Sequence, residues 1–177
     1  MIIAYKDLTN AESIIENIAM INPRIVVVDL SLVVSAFHLQ LATYKALLNE
    51  SQGRMKTKSI QSEVLYQLSS STKITDALQQ YTIHAQSKEI CFIHVAAAGA
   101  STPDSDAGLT VSEFQSIVGK LTVNGVEIDP IEISSTSILT GEKTAKIVKY
   151  FKITPLELEV SGLEESVSTR LAVKDSL

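Results

Sequence analysis

Apolar residues recur along this chain with two different periods, and the changes of period mark out its elements. Ile2 to Tyr5 is a short apolar run that reads as a strand. Asn10 is placed to cap a helix whose Ile14, Ile15 and Ile18 share one face, and Pro23 ends that helical stretch. Ile25 and the three consecutive valines before Asp29 have branched side chains that favour a pleated strand buried on both sides. Ser31 to Asn49 reads as the longest helix. Phe37, Leu41, Tyr44 and Leu48 form one stripe on it, and Leu39, Ala42 and Ala46 a second beside the first, so the helix is apolar over a wide arc. Two short helices, Ile60 to Leu68 and Lys73 to Tyr81, are joined by a serine-rich corner in which Thr72 is a candidate cap.

The second half continues in the same way. Glu89 to Ala97 puts Ile90, Phe92 and His94 on one face of a strand and Cys91, Ile93 and Val95 on the other, which predicts a central strand. Ala98 to Gly108 is rich in Gly, Ser, Pro and Asp and is expected to be the most mobile segment. Thr110 and Glu113 form a capping box for a helix carrying Val111, Phe114, Ile117 and Val118. Asn124-Gly125 supports two readings, a hairpin between Leu121–Val123 and Val126–Ile128 or the left-handed close of a helix followed by one strand. Thr140 to Phe151 predicts another helix, and Val160, Leu163, Val167 and Leu171 a stripe on a C-terminal one. With no internal repeat or linker, the expectation is one α+β domain over residues 1–177, a small, mostly antiparallel sheet flanked by several helices.

Composition narrows the function classes. A hydrophobic content of 45% can fill a core, and a net charge of −5 disfavours autonomous high-affinity nucleic-acid binding. The single Cys91 rules out an intrachain disulfide and multi-cysteine zinc sites, and His38, His84 and His94 stand in no metal-ligand spacing. Cys91 and His94 project to opposite faces of their strand, so they do not form a nucleophile pair. Gly141-Glu142-Lys143-Thr144 lacks the contiguous Gly-Lys-Thr of a phosphate loop. The chain shows neither a signal-peptide pattern nor an apolar run long enough to span a bilayer, and the expectation is a soluble intracellular protein. No catalytic residue, metal or cofactor is expected.

One charged feature stands out. Arg54, Lys56 and Lys58 fall within five residues of an acidic chain, beside Thr57, Ser59 and the hydroxyls of Ser69 to Thr72. Ammonium and guanidinium groups hold phosphates, and hydroxyls read sugars and base edges. The plain alternative is a solvated turn. Tyr66 is the main nearby candidate for base stacking.

The order from Gly53 to Ile83 (Gly-x-Met-x-Thr, then Glu63, Leu68-Ser69, Ile74 and Ala77-Leu78) resembles the kinase-binding subunit of the KEOPS (EKC) complex, which forms threonylcarbamoyladenosine on tRNA. The resemblance extends to Tyr5–Leu8, Asn10-Ala11, Ile21–Pro23, Ile25–Asp29, Glu165–Val167, Arg170-Leu171 and the tail from Lys174. It is weakest between Ala96 and Ser137, and Thr82 stands where the family usually has Gly. The resemblance implies a non-catalytic subunit, cytoplasmic and nuclear, that binds and modulates an atypical kinase/ATPase subunit and meets the threonylcarbamoyl transferase subunit only through it. It implies tRNA contact, at the single-stranded acceptor end, through Arg54, Lys56, Thr57 and Lys58. It further implies kinase contact through Val160, Leu163, Val167 and Leu171, a link to telomere maintenance, and a helix rather than a hairpin before Asn124-Gly125. A stand-alone RNA-binding module and a small enzyme with a dispersed site are the competing classes. Intramolecular packing is the competing reading of the C-terminal stripe.

Overall fold

The computed structural model describes residues 1–17, 22–96, 109–122, 124–134 and 139–174. Ile18, Ile21, the segment from Ala98 to Gly108, Val123 and the tail after Lys174 lie outside the described residues. The branched and aromatic runs form four strands, β1 (Ile2–Lys6), β2 (Ile25–Asp29), β3 (Ile90–His94) and β4 (Val126–Ile128). They pair antiparallel in the order β2-β3-β1-β4. The register places Val28, Cys91, Ala4 and Ile128 in one row across all four strands, and Val27, Phe92 and Ile3 in a row across the inner three on the opposite face. Every residue of β2 and β3 is buried, because both faces of the sheet are covered.

Two helices cover the Phe92 face: α1 (Ala11–Asn17), through Ala11 and Ile14, and α5 (Val111–Leu121), through Phe114 and Val118. The Cys91 face carries α2 (Ala36–Ser51), α3 (Ile60–Gln67), α4 (Ile74–Tyr81), α6 (Gly141–Phe151) and α7 (Pro155–Val173). The result is the expected α+β fold, a small antiparallel sheet flanked by helices, here arranged with helices on both faces. The capping box at Thr110 and Glu113 forms. At Asn124-Gly125 the helical reading holds, since α5 runs to Leu121 and β4 pairs with β1. Asn124 adopts φ 60°, and a Cβ on Gly125 would lie 2.8 Å from Leu8 Cδ1, so Asn-Gly serves a close approach rather than a hairpin.

Three boundaries move from their expected places. Leu30–Leu32 form a 3-10 turn capped by Asp29, so the long helix starts only after Ser35, whose hydroxyl accepts from His38 N. Lys73, not Thr72, is the N-cap of α4 and makes no side-chain cap bond. The serine corner instead satisfies its own amides, Ser71 N donating to Ser69 Oγ and Lys73 N to Ser71 Oγ. Finally, the C-terminal helix is broken: Gly162 sits at φ 70°, ψ 175°, a conformation open essentially to glycine alone. An ion pair between Glu157 and Arg170 closes across the break, and Arg170 also donates to Lys152 O at 3.2 Å.

His38 shows how polar groups are tolerated in this core. It is fully buried, 3.0 Å from Leu68 O through Nε2, and lies edge-on to Tyr81 and Phe151. Burial pushes its pKa down to about 4. The unfolded chain therefore takes up this proton first, and stability is lost as pH falls from about 6.5 toward 4. The linkage amounts to about 3 kcal/mol. In urea titrations across that window, His38→Gln, which keeps a donor toward Leu68 O, is expected to flatten the pH dependence; an unchanged slope would place the titrating group elsewhere.

Candidate functional site: a basic loop and an apolar helix face

The basic loop is built by the end of α2 and the start of α3. Gly53, at φ 62°, reverses the chain, and Gln52, Gly53 and Arg54 N donate back to the last carbonyls of α2. Ser59 then caps α3, its hydroxyl accepting from Ser62 N. Between these fixed ends the side chains alternate: Arg54, Lys56 and Lys58 are exposed, while Met55, Thr57 and Ser59 are half-buried. Met55 packs against the core.

Glu63 holds the loop in that conformation. It is fully buried in α3, where an unsatisfied carboxylate would be costly. Its Oε2 accepts from Lys56 N (3.0 Å), Thr57 N (3.0 Å) and Thr57 Oγ1 (2.9 Å), and its Oε1 from Asn49 Nδ2 (2.9 Å) and Gln67 Nε2 (3.0 Å). At the same end of α2, Arg24 grips Glu50 through both carboxylate oxygens and donates to Val95 O and Ala96 O, tying the helix to the sheet.

The predicted nucleic-acid residues therefore fall into two groups. Arg54, Lys56 and Lys58 project outward from one short segment, and none makes an ion pair with another described residue. Thr57 belongs to the inner set, with its hydroxyl committed to Glu63 and Ser59 O. Tyr66 offers no stacking platform: it is 4% exposed and lies beneath the Lys174 ammonium, 3.3 Å from the ring centre. Ser69 is buried and bonded to the Tyr150 hydroxyl. Helix periodicity assigns Glu63 no inward role; in the sequence it stands out only by its place in the Gly53–Ile83 order, six residues after Thr57.

The C-terminal stripe does not form one surface. Val167 and Leu171 are fully buried against the domain, Leu163 is half-buried, and Val160 is 81% exposed on the far side of the Gly162 break. The exposed apolar stripe lies instead on α2, where Phe37, Tyr44 and Leu48 face solvent with Leu41 half-buried between them. Leu39, Ala42 and Ala46 are the stripe that enters the core. The second half of α7 packs beside α2, joined to it by Ser35 Oγ on Glu164 and by Lys45 on Leu171 O. A shallow groove of about 430 Å³ opens there, lined by Phe37, Ser161 to Glu165 and Ser168.

Other clusters have structural wiring. Ser87 Oγ donates directly to Asp29, and His84 Nε2 lies 3.7 Å from the same carboxylate, so the serine hydroxyl is committed to the carboxylate rather than to the imidazole. Burial raises the Cys91 thiol far above its ordinary pKa. His94 faces Phe114 on the opposite side of the sheet from Cys91. Among the described residues no group of three His, Cys, Asp or Glu side chains is placed to hold a metal ion, and no helix is long and apolar enough to cross a membrane.

The profile of the family described as "Kinase binding protein CGI-121" matches residues 5–175. The zebrafish (Danio rerio) EKC/KEOPS complex subunit TPRKB is 32% identical over 157 residues, 89% of this chain and 76% of the relative. A fission yeast (Schizosaccharomyces pombe) EKC/KEOPS complex subunit is 26% identical over 173 residues, 96% of this chain and 91% of the relative. A subunit of the same name from Gibberella zeae is 28% identical over 130 residues, and the chain spans only 62% of its length.

The two halves of α7 are expected to answer mutation differently. Val167→Glu would bury a carboxylate without a partner and should destabilise the protein by several kcal/mol. Val160→Glu should leave stability within about 0.5 kcal/mol. Urea unfolding monitored by circular dichroism separates the two, and equal effects would mean that the break at Gly162 does not persist in solution.

Proposed function

The chain belongs to the CGI-121 kinase binding protein family, and we propose that it is a non-catalytic subunit of a KEOPS/EKC-type complex that docks a kinase and helps bring tRNA to it. The match over residues 5–175 carries this reading. The kinase seats on the exposed α2 stripe of Phe37, Leu41, Tyr44 and Leu48, with the groove at the Gly162 break as its border. Aromatic anchors at the centre of such a patch supply most of the binding energy, while the buried Val167 and Leu171 fix the helix beneath it. The transferase subunit is reached through the kinase, and the assembly works in cytoplasm and nucleus.

The basic loop supplies the tRNA contact. Three outward cations on a chain of net charge −5 give a local footprint suited to supplementing a partner's field rather than binding RNA alone. Arg54, Lys56 and Lys58 meet phosphates at the single-stranded acceptor end. Threonylcarbamoyl transfer and ATP chemistry belong to the partner subunits, and this chain contributes binding and modulation.

Two measurements test the two surfaces separately. Phe37→Glu with Tyr44→Glu should keep the fold, since both side chains are at least half-exposed, yet abolish co-elution with the kinase subunit in gel filtration. Loss of a central anchor costs about 2 kcal/mol or more, and each 1.4 kcal/mol is about tenfold in affinity. Undiminished co-elution would move the docking face elsewhere. Lys56→Glu with Lys58→Glu should weaken tRNA binding and leave the kinase contact intact. The log–log salt slope should flatten by about 0.7 for each single-stranded phosphate that is no longer neutralised. A charge-reversed protein that binds tRNA like the wild type would reduce the loop to a solvated turn.

A further inference from the structure

We infer that Glu63 is the positioning residue of the RNA-binding loop, acting through Lys56 and Thr57 without touching RNA. This rests on the tRNA reading of the loop. Three observations lead to it. First, Glu63 is closed to solvent while five N–H and O–H groups converge on its two oxygens. Second, the donors come from three separate elements: Asn49 at the end of α2, Gln67 in α3, and the consecutive residues Lys56 and Thr57 of the loop. One carboxylate thus joins the two helices and the segment between them. Gln67 Oε1 has no partner among the described residues, while its amide NH₂ faces Glu63.

Third, the carboxylate takes backbone amides rather than side-chain charges. Lys56 gives Glu63 only its N–H, and Thr57 gives both its N–H and its hydroxyl. Residues 56–59 form a bend, which lets the consecutive amides of Lys56 and Thr57 both reach one Glu63 oxygen. In this bend Thr57 is anchored inward by its hydroxyl while its neighbours Lys56 and Lys58 face outward, as the alternating exposure of residues 54–59 records. The oxygens of Glu63 are filled by these neutral donors, and no described lysine ammonium forms an ion pair with it. The backbone that carries the cations is held in place before binding, and the entropic cost of ordering the loop on RNA is reduced.

The test compares Glu63→Gln with the milder Thr57→Val, which removes only the hydroxyl bonds. Hydrogen exchange at the Lys56 and Thr57 amides is read beside tRNA affinity. In Glu63→Gln both amides should exchange on the order of tenfold faster while the β3 amides keep their protection, and tRNA binding should weaken by a comparable factor. Thr57→Val should show the same pair of changes in smaller measure, which keeps the test decisive if Glu63→Gln fails to fold. Combined with Lys56→Glu and Lys58→Glu, Thr57→Val should add no further loss of tRNA affinity. Faster loop exchange with undiminished affinity would overturn the positioning role and leave the RNA contact standing. Unchanged exchange at both amides would overturn it outright. A wild-type protein with no measurable affinity for tRNA, alone or with the kinase, would overturn the RNA reading and this inference together.

Discussion

The pairing of β3 with both β1 and β2 is the constraint on which the rest of the molecule depends. Cys91 faces Ala4 on one side and Val28 on the other, while Phe92 faces Ile3 and Val27. Because neighbouring rows project to opposite faces, this one strand divides the apolar residues into two cores, and each core needs its own helical cover. A slip of one residue would move every side chain to the wrong layer. The register therefore fixes which helices lie together, and so where α2 ends and the basic loop begins.

Two polar devices carry the sheet's order outward. Arg24 leaves the start of β2, grips Glu50 and reaches the carbonyls after β3, which sets the end of α2 against the sheet. Glu63 then takes over, joining the end of α2, the loop and α3 through a single carboxylate. Buried charge that is fully hydrogen-bonded specifies one arrangement where apolar packing would accept several. The outward cations are the exposed result of that inward order.

The two proposed surfaces differ in how they arise. The apolar face of α2 comes from its sequence, whose stripes are wider than one core can cover: Leu39, Ala42 and Ala46 fill the interior and leave Phe37, Tyr44 and Leu48 outside. Its groove, by contrast, exists because glycine at 162 permits a backbone turn that no other residue adopts without strain, with the Glu157–Arg170 pair closing the corner.

By itself, the sequence determined the elements, their order and the two-sided burial of β3, because these rest on local periodicity and on the branched side chains of residues 25–28 and 90–95. It also marked the cluster of Arg54, Lys56 and Lys58, since charge density is a property of the chain alone. Its periodicity joined Val160 to Leu171 in one stripe, because spacing carries no record of a φ of 70° at Gly162. It left Thr57 among the outward residues and Tyr66 as an open ring, because the partners that bury them, Glu63 and Lys174, are a turn or a whole fold away. Which side of an amphipathic helix meets the core, and which carboxylate gathers donors from three elements, is decided only when distant segments compete for the same buried volume.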